Sequence, residues 1–165
     1  MFLLRGSGEM DYWKTLRNAL GTQQLILNGA AGAIIINDKI LLVRKNSSSR
    51  WYIPGGTQEL NESIQVTIIR EIKEEHGLNL GIDKLISVYS SPKWLLELSN
   101  GDRIQQVTFF FLMNGVFDIN DINLQLSELN EYAFFGLDEI PEYTMECCKE
   151  KIRDLIEFKG IVFLK

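Results

Sequence analysis

Three glutamates lie close together in the segment REIKEE, which covers residues 70–75. In a helix, Glu71, Glu74 and Glu75 share one surface, where like charges at this spacing cost about 0.2–0.5 kcal/mol per pair. Acids in the last turns also face the negative end of the helix dipole. A hard divalent cation relieves this repulsion, because Mg²⁺ takes carboxylate oxygens as ligands and shares its shell with phosphates and water. The alternative is a solvated acidic surface, neutralised by the basic residues of the same segment.

A single helix is predicted to position these acids. Asn61 is a good N-cap residue and Gly77 a good residue just beyond a helix end, so the helix is expected to run from Glu62 to His76. At about 100° per residue, its apolar side chains form one arc that faces the core. The members of that arc are Ile64, Ile68, Ile69 and Ile72.

The acids are expected at the rim of this buried arc. Glu71 and Glu75 fall on its edge, and Glu74 lies slightly further round the helix. Carboxylates that are close together at such a rim raise one another's pKa unless a cation is present. A metal site would resolve this conflict, but taken alone the segment still favours a solvated acidic surface neutralised by Arg70 and Lys73.

The segment WYIPGG, residues 51–56, leads from a predicted strand towards this helix. Pro54 is rigid, whereas Gly55 and Gly56 allow the backbone to approach a ligand closely. A glycine loop before a carboxylate helix can offer backbone oxygens to a metal ion and leave room for a phosphate chain. We therefore include Gly55 among the candidate substrate-binding residues.

Taken together, the loop and the helix resemble the Nudix box of the Nudix hydrolase family. All nine specified positions of the box are matched, by Gly56, Glu62, Arg70, Glu71, Ile72, Glu74, Glu75, Gly77 and Leu78. A looser similarity extends over residues 28–141. Asn61 stands where members usually have glycine, and asparagine is the residue that best replaces glycine in a left-handed turn.

The resemblance implies hydrolysis of a pyrophosphate linkage in a nucleoside diphosphate joined to another moiety, with Mg²⁺ or Mn²⁺ as cofactor. The metal ligands that it implies are the Gly56 carbonyl and the carboxylates of Glu71, Glu74 and Glu75. Arg70 would orient the carboxylates through an ion pair, and Glu62 would support the loop or an outer metal ion. Bound metal neutralises phosphate charge and activates the attacking water.

The general base differs among members of the family, and several acids remain candidates. Glu71 or Glu75 would serve within the box, and Glu128 or Glu131 from outside it. The only histidine, His76, lies next to the predicted helix end, where an imidazolium favours the helix dipole. We therefore expect no catalytic role for the histidine.

Basic residues just before WYIPGG are candidates for binding substrate phosphates. Arg44, Lys45 and Arg50 can form charge-assisted hydrogen bonds, although solubilising loop charges are an equally simple interpretation. Four aromatic residues can stack a base but are better explained by core packing: Trp51, Tyr52, Trp94 and Phe135.

The remaining sequence predicts an α/β fold. Residues 10–21 and 142–158 have helical apolar spacing. Two hairpins are expected, one joining strands at 24–37 and 39–45 through a turn at NDK, the other turning at SNGD, residues 99–102. With the resemblance, this indicates a Nudix-like α/β/α sandwich, a mixed central sheet flanked by helices, in one domain over residues 1–165.

Composition restricts the functional class. A chain of 165 residues with 45% hydrophobic residues suits one globular domain. The net charge of −5 argues against a stable nucleic-acid complex, and no segment approaches the roughly 20 apolar residues of a membrane span. The adjacent Cys147 and Cys148 form no CxxC metal motif. We expect a cytoplasmic protein with a small nucleotide as its partner, and a homodimer remains open.

A non-catalytic module that senses a nucleotide or nucleotide sugar is the alternative function. Such modules often lose acids of the Nudix box, whereas this chain retains all of them. The retained acids favour the enzyme.

Overall fold

The computed structural model describes residues 12–97 and 100–165. These residues form three α-helices: α1 (Tyr12–Leu20), α2 (Ile64–His76) and α3 (Glu146–Glu157). They also form ten strands: β1 (Leu25–Ala33), β2 (Ile35–Ile36), β3 (Lys39–Lys45), β4 (Trp51–Tyr52), β5 (Gly55–Thr57), β6 (Gly81–Tyr89), β7 (Leu95–Glu97), β8 (Arg103–Asn114), β9 (Leu129–Gly136) and β10 (Phe163–Leu164). None of the helices in the described residues is long and apolar enough to cross a membrane.

The strands form two sheets. The large sheet has the order β10-β6-β8-β1-β5, with β7 also paired to β8. It is mixed, because β1 runs parallel to β8 over its whole length and β10 runs parallel to β6, whereas β5 is antiparallel to β1 and both β6 and β7 are antiparallel to β8. The small sheet has the order β2-β3-β4, and β9 pairs with the other edge of β3.

Apolar side chains bury both faces of the large sheet. On one face, α2 packs against β1 and β8 in a cluster that includes Ala30, Ile68, Ile72 and Phe111. On the other face, α3 and the small sheet pack in a cluster that includes Ala31, Leu42, Phe110 and Ile152. This arrangement confirms the predicted α/β/α sandwich with a mixed central sheet, to which the second, smaller sheet is added.

The predicted hairpin between residues 24–37 and 39–45 is wrong in its pairing. β1 belongs to the large sheet, and only the short β2 pairs with β3. The turn itself is present, with left-handed φ values of 48° at Asn37 and 61° at Asp38. The chain changes sheets at Ile34, which lies in an uninterrupted apolar run, so no polar or turn residue marks the crossing.

The helix α2 begins two residues later than predicted. Ser63 is its N-cap and accepts a hydrogen bond from the Val66 amide at 3.3 Å, whereas Asn61 has a left-handed φ of 63°. The predicted end is confirmed, because Gly77 adopts φ 73° as the C-cap. Ile69, which we expected in the buried arc, is 38% exposed and belongs to the solvent side.

The C-terminal helix begins at Glu146 instead of residue 142. The preceding residues form a turn, with a Thr144 amide bond to Pro141, and the Met145 amide donates to the Trp51 carbonyl at 3.0 Å. The N-terminal helix is present as α1, and the first two positions of its predicted range lie outside the described residues. The second hairpin is confirmed by the pairing of β7 with β8.

Candidate active site

The glycine loop places Gly56 directly against the acidic helix. β5 pairs antiparallel with β1, with Gly56 opposite Ala30, and Gly56 faces Glu71 of α2. A Cβ added to Gly56 would lie 2.2–2.5 Å from the carboxylate atoms of Glu71. The Glu71 carboxylate therefore occupies the space that a side chain at position 56 would fill.

Arg70 is the cation at the centre of the acidic cluster. Its guanidinium donates to Glu62 at 2.5 Å and 3.1 Å, to Glu71 at 2.8 Å and to Glu74 at 3.0 Å. It also donates to the Thr57 carbonyl at 3.2 Å. Its side chain is 16% exposed, so the bonds to Glu62 and Glu71 are largely shielded from water, whereas Glu74 is 47% exposed in its side chain. Arg70 thus holds three box glutamates and the loop together.

Glu62 fastens the loop to the start of α2. In addition to Arg70, its carboxylate accepts from the Glu59 amide and from the Thr67 hydroxyl, both at 3.1 Å. Burial alone would raise the pKa of Glu62, but the hydrogen bonds from Arg70 and Glu59 hold that pKa below its ordinary value. These contacts favour the charged form of Glu62 and hold the loop to the start of α2.

The environments of Glu71 and Glu75 favour neutralisation by a cation. Glu75 is 4% exposed, and burial raises its pKa to about 8, although the nearby Lys45 acts in the opposite direction. The charges of Glu71 and Glu128 add to the rise. Burial also raises the pKa of Glu71, in spite of its ion pair with Arg70. Both carboxylates lie where charge is costly, as catalytic acids and bases often do.

No three His, Cys, Asp or Glu side chains in residues 12–97 and 100–165 converge on one point suited to a metal ion. Glu71 and Glu74 are turned towards Arg70, and Glu75 makes no ion pair with it. The donors nevertheless fit a hard divalent cation, because the three carboxylates and the Gly56 carbonyl offer only oxygen. Arg70 engages only one carboxylate oxygen each of Glu71 and Glu74, so these two acids, with Glu75 and the Gly56 carbonyl, would hold such a cation.

The two acids from outside the box lie in different surroundings. Glu128 precedes β9, and its charge is close enough to Glu75 to raise the pKa of that group. Glu131 lies on β9 and forms an ion pair with Arg44 at 3.0 Å. Of the two, Glu128 is therefore the candidate that the fold brings near the box.

The three candidate phosphate-binding side chains lie in three different places in the fold. Lys45 lies near Glu71 and Glu75, whose pKa values it lowers. Arg44 stacks on the Trp51 ring, with its guanidinium carbon 4.5 Å from the ring centroid. Arg50 is exposed and lines a cavity between α3 and the large sheet. Lys45 alone is thus close to the acidic cluster.

The other candidates are mainly structural. A Cβ added to Gly55 would lie 2.2 Å from the Ala30 carbonyl, so this glycine permits the pairing of β5 with β1. Trp51 packs edge-on against Phe135, with ring centroids 5.0 Å apart, and Tyr52 donates to the Ser48 hydroxyl. These contacts support the core-packing interpretation of Trp51, Tyr52 and Phe135, whereas Trp94 lines the cavity between α3 and the large sheet.

His76 differs from the prediction. It is fully buried, and burial lowers its pKa to about 4, so the ring is neutral at neutral pH. The expected imidazolium at the helix end is therefore wrong, because the side chain points into the protein and not towards solvent.

A cavity of about 210 Å³ between α3 and the large sheet is lined by Trp94, a base-stacking candidate from the sequence, and by other residues that sequence reasoning missed. Its lining includes Gln106 and Thr108 from β8, Trp94 from the loop after β6, and Lys151 from α3. One signal was available, because Lys151 lies three residues after Cys148 and four before Leu155, within the apolar arc of the helix. No local pattern could have shown that these distant segments enclose a cavity.

Known proteins resemble this chain over the region that contains the candidate active site. A family model for the NUDIX domain matches residues 27–155. An ADP-ribose pyrophosphatase from Methanocaldococcus jannaschii is 33% identical over 133 residues, which cover 78% of this chain and 72% of the relative. An RNA pyrophosphohydrolase from Hydrogenovibrio crunogenus is 33% identical over 141 residues, which cover 80% of this chain and 81% of the relative. A solved NUDIX hydrolase from Nitrosomonas europaea superposes with a TM-score of 0.65 at 21% identity, covering 84% of this chain and 78% of the other.

Proposed function

The chain belongs to the Nudix family of hydrolases, which act on pyrophosphate bonds, and we propose that it is a divalent-metal-dependent pyrophosphohydrolase. Its proposed substrate is a nucleoside diphosphate linked to another moiety. The relatives with ADP-ribose pyrophosphatase and RNA pyrophosphohydrolase activity in their names are consistent with such a linkage. The cofactor that we propose is Mg²⁺ or Mn²⁺.

One observation carries the proposal: the buried carboxylate of Glu75 lies beside Glu71, on a helix whose other acids are held by Arg70. Among the described residues, Glu75 makes no hydrogen bond or ion pair through its carboxylate, although it is 4% exposed. A buried carboxylate without a partner is costly. A bound cation supplies the missing partner, which favours a metal site over a solvated acidic surface.

In the proposed reaction, residues of this chain bind the cation, position its ligands and the phosphate, and act as the general base. Glu71, Glu74 and Glu75 would hold the cation together with the Gly56 carbonyl. When bound, the cation neutralises phosphate charge and lowers the pKa of water. Arg70 keeps Glu71 and Glu74 near that position before the cation arrives, and Lys45 is the nearby charge that can contact a phosphate oxygen. Glu75, with its raised pKa, and Glu128 are the candidate bases.

The first test is removal of metal. Hydrolysis of a panel of nucleoside diphosphate derivatives is expected to be undetectable with excess EDTA and to return when Mg²⁺ or Mn²⁺ is added. The same ions should raise the melting temperature, since a ligand at 100 times its Kd stabilises the folded state by about 2.7 kcal/mol. An undiminished rate in EDTA would contradict the proposed cofactor.

The second test concerns the space that Gly56 provides. Gly56→Ala is expected to lower kcat/KM about 100-fold, because the added Cβ displaces the Glu71 carboxylate and small misplacements of catalytic groups have effects of this size. The fold should persist, since the group displaced is the end of a flexible side chain. Gly81→Ala is the matched control, because its Cβ would lie 3.7 Å from the Asn114 carbonyl, an ordinary contact. Equal activity of both variants would show that the position of Glu71 does not matter.

Binding of a nucleotide without cleavage is the alternative function. It predicts tight binding of a nucleotide or nucleotide sugar that is recovered unchanged after long incubation with Mg²⁺ or Mn²⁺. Release of phosphate, pyrophosphate or a nucleoside monophosphate from any member of the panel decides for the enzyme. The products also identify which phosphoanhydride bond is cleaved.

A further inference from the structure

The cavity between α3 and the large sheet contains a buried lysine. Lys151 is 5% exposed, and its ammonium lies 4.2 Å from the Tyr89 ring centroid and 5.8 Å from that of Trp94. It donates to the Cys147 carbonyl at 3.2 Å, which uses one of its three N–H groups. The aromatic rings fix the position of the ammonium but accept no conventional hydrogen bond from it.

The acids nearest to Lys151 along α3 are already paired with other groups. Asp154 accepts a hydrogen bond from the Tyr89 hydroxyl and forms an ion pair with Lys165 at 2.6 Å. Glu150 pairs with Lys165 at 3.2 Å and with Lys93 at 3.3 Å. Within the described ranges, no Asp or Glu forms an ion pair with Lys151. A buried ammonium without an anionic partner is costly, and a bound anion would remove that cost.

The cavity wall carries further donors, and also the thiol of Cys147, whose pKa is lowered to about 6 by its hydrogen bond with Cys148 and by the charge of Lys151. Arg50 and Lys93 add two more cations. The indole N–H of Trp94 is buried and has no acceptor among the residues that the structure describes. The one carboxylate in the lining, Glu146, is engaged by Lys149 at 2.8 Å. A group with several negatively charged acceptor oxygens, such as a phosphate, matches this lining.

The cavity begins beside the candidate metal site. A Cβ placed on Gly29 would lie 2.8 Å from the Gly56 carbonyl oxygen and 3.0 Å from Nε2 of Gln106. Gln106 lines the cavity, and the Gly56 carbonyl belongs to the candidate metal ligands. A substrate held at Gly56 by its pyrophosphate can therefore extend directly into the cavity.

We propose that this cavity binds a further phosphate group, carried by the substrate outside the pyrophosphate that is cleaved. Lys151 is the central contact, with Arg50, Lys93 and the Trp94 N–H around it. The inference rests on the proposed hydrolase function, and it narrows the substrate to nucleoside diphosphate derivatives that carry an additional phosphate monoester.

Two pairs of compounds that differ by one phosphate monoester provide the test: NADPH with NADH, and coenzyme A with dephospho-coenzyme A. Calorimetric titration of the full chain in EDTA measures binding without turnover. In at least one pair, the phosphorylated member is expected to bind at least about tenfold more tightly, equivalent to about 1.4 kcal/mol. Lys151→Met should abolish this preference, and the methionine should keep the fold because it fills a similar buried space.

Two further variants separate the role of Lys151 from a general effect of charge. Lys159→Met removes one positive charge from an exposed residue beyond α3 and should leave the preference unchanged. Arg50→Gln, at an exposed position, should reduce the preference less than Lys151→Met does. If Lys151→Met fails to fold by circular dichroism, the Arg50 variant still tests the cavity, and an unaltered preference in that variant would contradict the proposal.

The remaining outcomes distinguish this inference from the proposed function. Hydrolysis of the compounds without any preference within either pair would overturn the phosphate site and leave the hydrolase intact. A Lys151-dependent preference without hydrolysis would support the site and count against the hydrolase. Inorganic phosphate is the third titrant. If it bound as tightly as the phosphorylated compounds, and through Lys151, the cavity would be a site for free phosphate, and the assignment to a substrate group would be wrong.

Discussion

Glu75→Gln is expected to lower kcat by about 10²–10³-fold, the range for loss of one group that stabilises transition-state charge. The amide keeps the size of the side chain but removes a negative charge from the proposed metal shell and removes one candidate base. Steady-state hydrolysis of whichever nucleotide is cleaved fastest measures the change. Glu142→Gln, an exposed acid before α3, makes the same change in charge and should retain full activity.

The same substitution is expected to raise the stability of the metal-free protein at high pH, where the buried carboxylate of Glu75 is charged. The pKa of Glu75 is raised to about 8, so the folded state keeps this proton at pH values where the unfolded chain has lost it. Its contribution to the free energy of unfolding is therefore complete at low pH and is lost as the pH rises through about 8. The decline is at most about 1.4 kcal/mol per pH unit. Urea unfolding in EDTA between pH 5 and pH 9 should show a smaller decline for Glu75→Gln than for the wild type.

A negative result in each of these two measurements would exclude a different part of the proposal. Unchanged turnover in Glu75→Gln would exclude Glu75 both as a metal ligand and as the base, and Glu71 and Glu128 would then be tested in the same way. An unchanged pH dependence of stability would show that the buried carboxylate is already neutralised by a protein group. Lys45 is the first group to examine in that case, because it lowers the pKa of Glu75 in the folded protein.

Arg70→Ala is expected to lower the free energy of unfolding by about 3 kcal/mol, because it leaves several partly buried carboxylates without their cation. Glu62 and Glu71 are 12% and 15% exposed in their side chains, so water compensates little for the lost charge. The hydrolytic rate should also fall at least about 100-fold, since misplaced catalytic groups have effects of that order. Chemical denaturation and steady-state kinetics measure the two effects separately.

A second variant separates the effect of the branched guanidinium of Arg70 from the effect of its positive charge. Arg70→Lys keeps the charge but cannot bridge Glu62, Glu71 and Glu74 at once, so it should recover stability only in part. Lys73→Ala removes a cation from an exposed position of the same helix and should have little effect on either measurement. If Arg70→Ala matched the wild type in stability and rate, the hydrogen bonds to the box acids would not be required for the site.

Much of the candidate site was predictable from local sequence, because α2 and the loop before it supply most of its parts. The spacing of Glu71, Glu74 and Glu75 indicated a shared surface, and Gly77 marked the helix end that the structure confirms. The predicted helix start was wrong by two residues, because Ser63, two positions after Asn61, is also a residue type that caps helices. The structure uses Asn61 for a left-handed turn and leaves the capping bond to Ser63.

The parts that could not be predicted depend on contacts between distant segments. The apolar stretch that contains β1 and β2 shows no sign of which sheet each strand joins, since both strands are flanked by buried residues. Burial of Glu75 and His76 likewise follows from packing around the end of α2 and not from their neighbours in sequence. The cavity around Lys151 requires β6, β8 and α3 together, and helical spacing indicates only that this lysine faces inwards.

The change of sheets at Ile34 links the two sides of the large sheet through one segment. β1 contributes Ala31 and Ala33 to the cluster on the α3 side and Ala30 to the cluster on the α2 side, which Ile34 also joins. Neither cluster can open without withdrawing residues from the other. We therefore expect the described residues to unfold as one cooperative unit, with partly open forms that expose a single layer disfavoured. The acidic helix packs on one face of the large sheet and the cavity lies on the other, and the two approach each other at the Gly56 carbonyl on the edge strand β5.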